Sequence, residues 1–141
     1  LSIYIDTSVL VAALTNEAET DRMQSWLASQ NPDALYVSDW VATEFSSALS
    51  IKLRTGQITV ADRANALALF TRLSAESFQI LPVTTQQFRA AARFSDQYTL
   101  GLRAGDALHL AVCADHGATL CTLDKRLAEA GPNIGINTKL L

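Results

Sequence analysis

Residues 1–14 read LSIYIDTSVLVAAL, and Asp6 is the one charged side chain among them. Ahead of it, "SIYI" is rich in β-formers; behind it, "TSVLVAALT" sets Val9, Ala12 and Ala13 at helical spacing. The stretch predicts a strand that turns directly into a helix, with a carboxylate at the junction. An acid held between two core-forming elements is costly unless something pairs with it. The fold and the role of Asp6 are therefore one question.

The rest of the chain repeats the alternation. "EAETDRMQSWLASQ" predicts an amphipathic helix with Met23, Trp26 and Leu27 on its apolar face, and "NPDA" a turn into the strand "LYVS". Ser38 or Asp39 is placed to cap the helix "WVATEFSSALSIKLRTG", which Gly56 stops. Thr59 and Asp62 have capping-box spacing at the head of "TVADRANALALFTRLSAE". Next come a strand "SFQILPV" closed by Pro82, a helix "TTQQFRAAARFSDQY" and a loop "TLGLRAG". The apolar helix "DALHLAVCADHG" ends at Gly117. A buried strand "ATLCTL", a short helix "DKRLAEAG" and a final turn or edge strand "NIGINTKLL" complete the chain. Strands alternating with helices from end to end predict an α/β fold: a three-layer α/β/α sandwich on a mainly parallel central sheet, with residues 1–141 as a single domain.

Composition agrees with one folded unit. A chain of 141 residues that is 49% hydrophobic has material for a real core. Its apolar runs are far shorter than the roughly 20 residues a membrane span needs, and no basic segment precedes a long apolar block, so neither a span nor a signal peptide is expected. Cys113 and Cys121 form no CxxC pair and read as buried free thiols, which suits a reducing, cytoplasmic setting. The net charge of −3 excludes a protein that grips nucleic acid by charge alone, although two bound divalent cations would turn the balance slightly positive.

Four acids stand where acids are unusual. Asp6 and Asp124 each close a strand, at the carboxyl rim where open parallel sheets build ligand sites; each is equally explained as the N-cap of the helix that follows. Glu44 falls beside Val41 and Ala48 at the edge of an apolar helix face, where an ion pair with Lys52 is the competing explanation. Asp106 opens "DALHLAVCA" on the face shared by His109, Leu110 and Cys113. Carboxylates brought together repel one another, and a bound cation removes the conflict. No histidine or cysteine pair has soft-ligand spacing, so the donors are all oxygen and select Mg²⁺ or Mn²⁺ over Zn²⁺.

In order and spacing, "IYIDTSVLVAAL", "VSDWVATEFSSAL" and "LRAGDALHLAVCADHGATLCTLDKRL" resemble the motifs of PIN-domain ribonucleases, and most of all the VapC-like toxins of bacterial type II toxin–antitoxin pairs. The resemblance spans nearly the whole chain. It implies a Mg²⁺- or Mn²⁺-dependent endoribonuclease that hydrolyses RNA phosphodiester bonds. It also implies a homodimer and a cognate antitoxin that blocks the acidic pocket. Catalytic and metal-holding roles carry over to Asp6, Glu44, Asp106 and Asp124, with Ser8 and Thr122 as supporting hydroxyls. Leu127 departs from relatives that carry an aromatic there, a packing difference.

Arg103, three residues before Asp106, is the expected phosphate anchor, since guanidinium grips phosphate bidentately; a solvated loop arginine is the plainer reading. His109 reads as a hydrogen-bonded core residue or a support for the acids rather than a general base, and Trp26 as core or interface. Three other readings compete with the ribonuclease one. A haloacid-dehalogenase-like phosphatase needs a second acid two residues after the first, where this chain has Ser8. A receiver domain needs adjacent acids near its first strand, and they are missing. A non-catalytic metal-binding module would keep the acids for stability alone.

Overall fold

In the computed structural model, which describes residues 1–141, β1 (Ile3–Ile5) gives way after one residue to α1 (Thr7–Leu14). There follow α2 (Thr20–Ala28), β2 (Leu35–Ser38), α3 (Asp39–Arg54), α4 (Val60–Glu76) and β3 (Gln79–Leu81). The second half holds α5 (Thr85–Asp96), α6 (Ala104–His116), β4 (Thr119–Thr122), α7 (Lys125–Asn133) and β5 (Thr138–Leu140). The five strands pair in the order β3-β2-β1-β4-β5, all parallel. Parallel neighbours need helical crossovers, and those crossovers cover both faces. The middle strands are accordingly buried through Tyr4, Ile5, Val37, Leu120 and Cys121. Helices α1 to α4 pack among themselves, α5 packs on α6, and α7 lies against β4 and β5.

The chain steps outward from β1 through β2 to β3, then returns to the other side of β1 with β4. The crossovers on either side of β1 therefore diverge, and a crevice opens at the carboxyl ends of β1 and β4. Asp6 stands at the end of the first strand and Asp124 two residues beyond the other.

Local chemistry sets the boundaries. Ser38, not Asp39, caps α3 by accepting the Val41 N–H at 3.3 Å. Thr59 and Asp62 cap α4 reciprocally, as their spacing predicts, and Thr84 with Gln87 does the same for α5. Three elements differ from expectation. Helix α2 starts only at Thr20, because the Thr20 hydroxyl folds back onto the carbonyls of Ala12 (2.6 Å) and Thr15 (3.0 Å) and holds residues 15–19 in a turn. Helix α6 starts at Ala104, so Asp106 is its third residue rather than its first. Helix α7 runs past Gly131 and through Pro132 to Asn133. Proline has no N–H for the carbonyl four residues back, and here the Thr138 hydroxyl donates to that carbonyl, Ala128 O, in its place.

The same contact makes Gly131 a packing requirement. A Cβ there would strike the Thr138 methyl group and come within 3.1 Å of the Ile136 carbonyl oxygen. Gly131→Ala is expected to destabilise the fold by about 1–3 kcal/mol, the usual cost of overpacking, although alanine is the better helix former. Urea unfolding measures the difference, and equal or greater stability would contradict the packing.

Candidate functional site

Asp6 occupies the N-cap position of α1 but makes no capping hydrogen bond. Instead Ser8 Oγ donates to its Oδ1 and Thr122 Oγ1 to its Oδ2, both at 2.6 Å. Each hydroxyl is itself aimed by a backbone N–H: Leu123 N–H points at Ser8 Oγ (3.1 Å) and Asp124 N–H at Thr122 Oγ1 (2.9 Å). With their lone pairs so engaged, the two hydroxyls turn their protons to the acid. Asp6 is only 4% exposed. Burial pushes its carboxyl above the ordinary range in spite of both hydrogen bonds.

Glu44, half-buried on α3, is close enough to Asp106 for its charge to act on that carboxyl. Thr7 Oγ1 donates to its Oε1 at 2.7 Å, and His109 Nε2 bonds the same oxygen. Burial acts to raise the Glu44 carboxyl, but the imidazole and the Thr7 hydroxyl together bring it below its ordinary value. The expected alternative, a pair with Lys52, is not formed: Lys52 Nζ bonds Glu17 at 2.6 Å. Trp40, also on α3, donates its indole N–H to Gly105 O at 3.3 Å and so joins α3 to the head of α6.

Asp106 stands in the first turn of α6, half-buried. Its carboxyl is raised by burial first and then by the charges of Asp124, Glu44 and Asp6, while His109 offsets part of the rise. The four acids thus share one electrostatic neighbourhood. Asp124 does cap α7: its Oδ1 accepts Arg126 N–H (2.9 Å) and Leu127 N–H (3.2 Å), leaving Oδ2 outside the cap. None of the four is paired with lysine or arginine.

The donor set suits a hard cation: carboxylate and hydroxyl oxygens, negative in sum, in a crevice that raises the Asp106 carboxyl through its fellow acids. The acids are not closed into a cage, since no three acidic, histidine or cysteine side chains gather tightly enough to hold one ion by themselves. Such open sets suit magnesium, which keeps waters and takes substrate oxygens as further ligands.

The other residues singled out fall as follows. Arg103 is exposed and supplies only the backbone N-cap of α6, on the turn that carries Asp106. Leu127 is fully buried, as a packing difference requires, and so are the free thiols Cys113 and Cys121. Trp26 packs partly buried against the main core. His109 is 2% exposed and bonded at both ring nitrogens, Nδ1 meeting the Tyr4 hydroxyl at 2.8 Å. Sequence reasoning missed Tyr4, Thr7 and Gly105. Tyr4 was within reach, because residues two apart in a strand share a face and Tyr4 precedes Asp6 by two. Thr7 and Gly105 gain their roles only through α3, which no local pattern brings to them.

A family model described as PIN domain matches residues 3–132. In fold, the chain is similar to VapC20 of Mycobacterium tuberculosis, a sarcin–ricin loop cleaving toxin (TM-score 0.76, 22% identity, 92% of this chain and 95% of that one). It is similar also to FitAcB of Neisseria gonorrhoeae (TM-score 0.72, 22% identity, 96% and 95%). A third similar structure is DNA-bound VapBC of Salmonella typhimurium (TM-score 0.71, 18% identity, 99% and 97%). No curated protein matches the sequence significantly. No helix is long and apolar enough to cross a membrane.

The two directions of carboxyl shift predict opposite mutational signs. A carboxyl raised on folding lowers stability as pH climbs through its unfolded and then its folded value, so the penalty from Asp106 is full at neutral pH. Asp106→Asn should therefore raise the Tm of metal-free protein by a few degrees at pH 7, an advantage that fades as pH falls below the ordinary carboxylate range. Glu44, lowered on folding, stabilises above its unfolded value and loses that contribution as pH falls through its folded one. Glu44→Gln should lower the Tm at pH 7. Thermal unfolding across pH checks both, and shifts of the same sign would contradict the assignment.

Proposed function

Since the chain belongs to the PIN-domain family, we propose that it is a divalent-metal-dependent endoribonuclease, the toxin of a toxin–antitoxin pair, hydrolysing RNA phosphodiester bonds at the four-carboxylate crevice. The observation that carries this reading is the placement of Asp6 and Asp124 at the carboxyl ends of β1 and β4, with Asp106 close enough for Asp124, Glu44 and Asp6 to raise its carboxyl, and with no lysine or arginine paired to any of the four. The overall likeness to a sarcin–ricin loop cleaving toxin adds support for RNA as the substrate.

Asp6, Asp106 and the Asp124 Oδ2 are the groups to hold a Mg²⁺ or Mn²⁺ ion. Such an ion supplies Lewis-acid polarisation of a phosphate oxygen and makes a nearby water more acidic. Asp6 enters the site already oriented, because Ser8 and Thr122 fix both of its oxygens. Glu44 accepts the proton of the attacking water as its oxygen adds to phosphorus. The bond from phosphorus to the 3′ oxygen breaks, and that oxygen takes a proton from solvent. The product ends are 5′-phosphate and 3′-hydroxyl. Arg103, exposed on the turn before Asp106, anchors a neighbouring phosphate.

An antitoxin that covers the crevice, a second copy of the chain and a cytoplasmic setting complete the reading. Of these, the antitoxin draws support from the likeness in fold to FitAcB and VapBC. The competing reading is a non-catalytic metal-binding module.

The deciding measurement incubates wild type and Asp6→Asn with a panel of cellular RNAs. Cleavage is expected in Mg²⁺ or Mn²⁺, to be lost in EDTA, and to fall at least about 100-fold in Asp6→Asn. Metal-induced thermal stabilisation of wild type without RNA cleavage would favour the binding module. A 2′,3′-cyclic phosphate end would overturn the hydrolytic scheme.

A further inference from the structure

Glu44 is held from two sides. On one, Oε1 takes both the Thr7 hydroxyl and His109 Nε2. On the other, Oε2 lies over Gly105, where a Cβ would come within 2.9 Å of it and within 3.3 Å of Trp40 Cζ2. Behind His109 the chain of contacts continues inward. Nδ1 meets the Tyr4 hydroxyl at 2.8 Å, the Tyr4 hydroxyl meets Ser38 Oγ at 2.7 Å, and Ser38 Oγ accepts the Val41 N–H.

Only one direction of protons satisfies all of these groups with a neutral imidazole. Glu44, a carboxylate, can only accept, so the one proton of a neutral ring is on Nε2, aimed at Glu44 Oε1. Nδ1 then accepts from Tyr4, and the Tyr4 oxygen accepts from Ser38, whose own oxygen takes the Val41 N–H. A phenol keeps its proton at neutral pH and so is available as the donor. Tyr4 is fully buried and His109 nearly so. A core with no purpose for this chain would be served by apolar side chains of similar size, since buried polar groups stabilise little even when fully satisfied. The chain ends on Glu44, a carboxylate of the crevice.

We propose that Tyr4 and His109 are positioning residues for Glu44: the buried hydroxyl–imidazole chain fixes the ring with Nε2–H on Oε1 and leaves Oε2, turned over Gly105 beside Asp106, as the oxygen that meets the cation or its water. The assignment rests on the nuclease reading for its purpose, but not for its geometry. Asp6 reaches the same end through two hydroxyls. Glu44, on a longer side chain, needs an anchor that reaches out of the core.

The test uses full-length protein with two readouts. In metal-free protein, ring nitrogen-15 chemical shifts of His109 should show the Nε2-protonated tautomer, and Tyr4→Phe, which leaves Nδ1 without its donor, should move the Nδ1 resonance while Nε2–H stays on Glu44. Mn²⁺ binding, measured by calorimetry, should weaken about 10- to 100-fold in His109→Leu, the range typical when support of a ligand is lost. His109→Gln, whose amide N–H reaches toward Oε1, should restore most of the affinity. Gly105→Ala removes no group of the chain but crowds Oε2, and should weaken Mn²⁺ binding. Cooperative thermal unfolding identifies the variants that remain folded; the Gln and Gly105 variants keep the test alive if His109→Leu does not. An Nδ1-protonated ring in wild type, or unchanged Mn²⁺ affinity in folded His109→Leu and Gly105→Ala, would overturn the proposal. Wild type that binds no Mn²⁺ would instead defeat the nuclease reading, and the tautomer in metal-free protein would still decide whether the chain holds Glu44.

Discussion

Two hydroxyl groups on one buried carboxylate hold the two central strands to a common purpose. Ser8 belongs to the helix after β1 and Thr122 ends β4, and both donate to Asp6. Their own acceptor positions are filled by backbone N–H groups at the junction of β4 and α7. The acid is therefore fixed relative to two strands that are neighbours in space and more than a hundred residues apart in sequence. A slip of β1 against β4 by one residue would reverse every side chain of β1 between the faces of the sheet. It would also part Asp6 from Thr122. The backbone bond from Asp6 N–H to the Cys121 carbonyl, at 3.2 Å, continues the same pairing past the end of the strand.

From that fixed point the rest of the crevice follows as a conflict between stability and function. Asp106 enters on the first turn of α6, where the helix dipole favours an acid, yet burial and the other acids still raise its carboxyl. Glu44 runs the other way because a histidine and a threonine spend their donors on it. One acid is strained and another is satisfied, although they face the same space. Functional sites are where such local violations of stability collect.

The alternation of strands and helices was legible because each element carries its own period and its own stop. Gly117 has a φ of +60°, a conformation that favours glycine, and it ends α6 where the pattern predicts. The acids were legible too, as charges that fit neither a solvent face nor a core. What stayed hidden depends on contacts between distant residues. Pro132 reads as the end of a helix, and only Thr138, packed beside it, lets α7 run on. Lys52 shares a helix face with Glu44, but the turn after α1 offers it Glu17 instead. His109 could be read as a buried, bonded histidine; that its partners are Tyr4 and Glu44 follows from the sheet order, which no local pattern carries.

The kind of donor chosen for these acids also has a reason. An arginine or lysine would hold a buried carboxylate more firmly than a hydroxyl does, but it would cancel the charge that attracts a cation. A serine, a threonine and a helix cap hold Asp6 and Asp124 in place while leaving their charge intact. The His109 ring, with the Tyr4 hydroxyl behind it, holds Glu44 from the core side. The crevice is thus ordered without lysine or arginine and keeps an excess of acids. The cost is that Asp6 and Asp106 carry raised carboxyls in the protein alone, a cost that a divalent ion in the crevice would lift by giving the acids an opposite charge at short range.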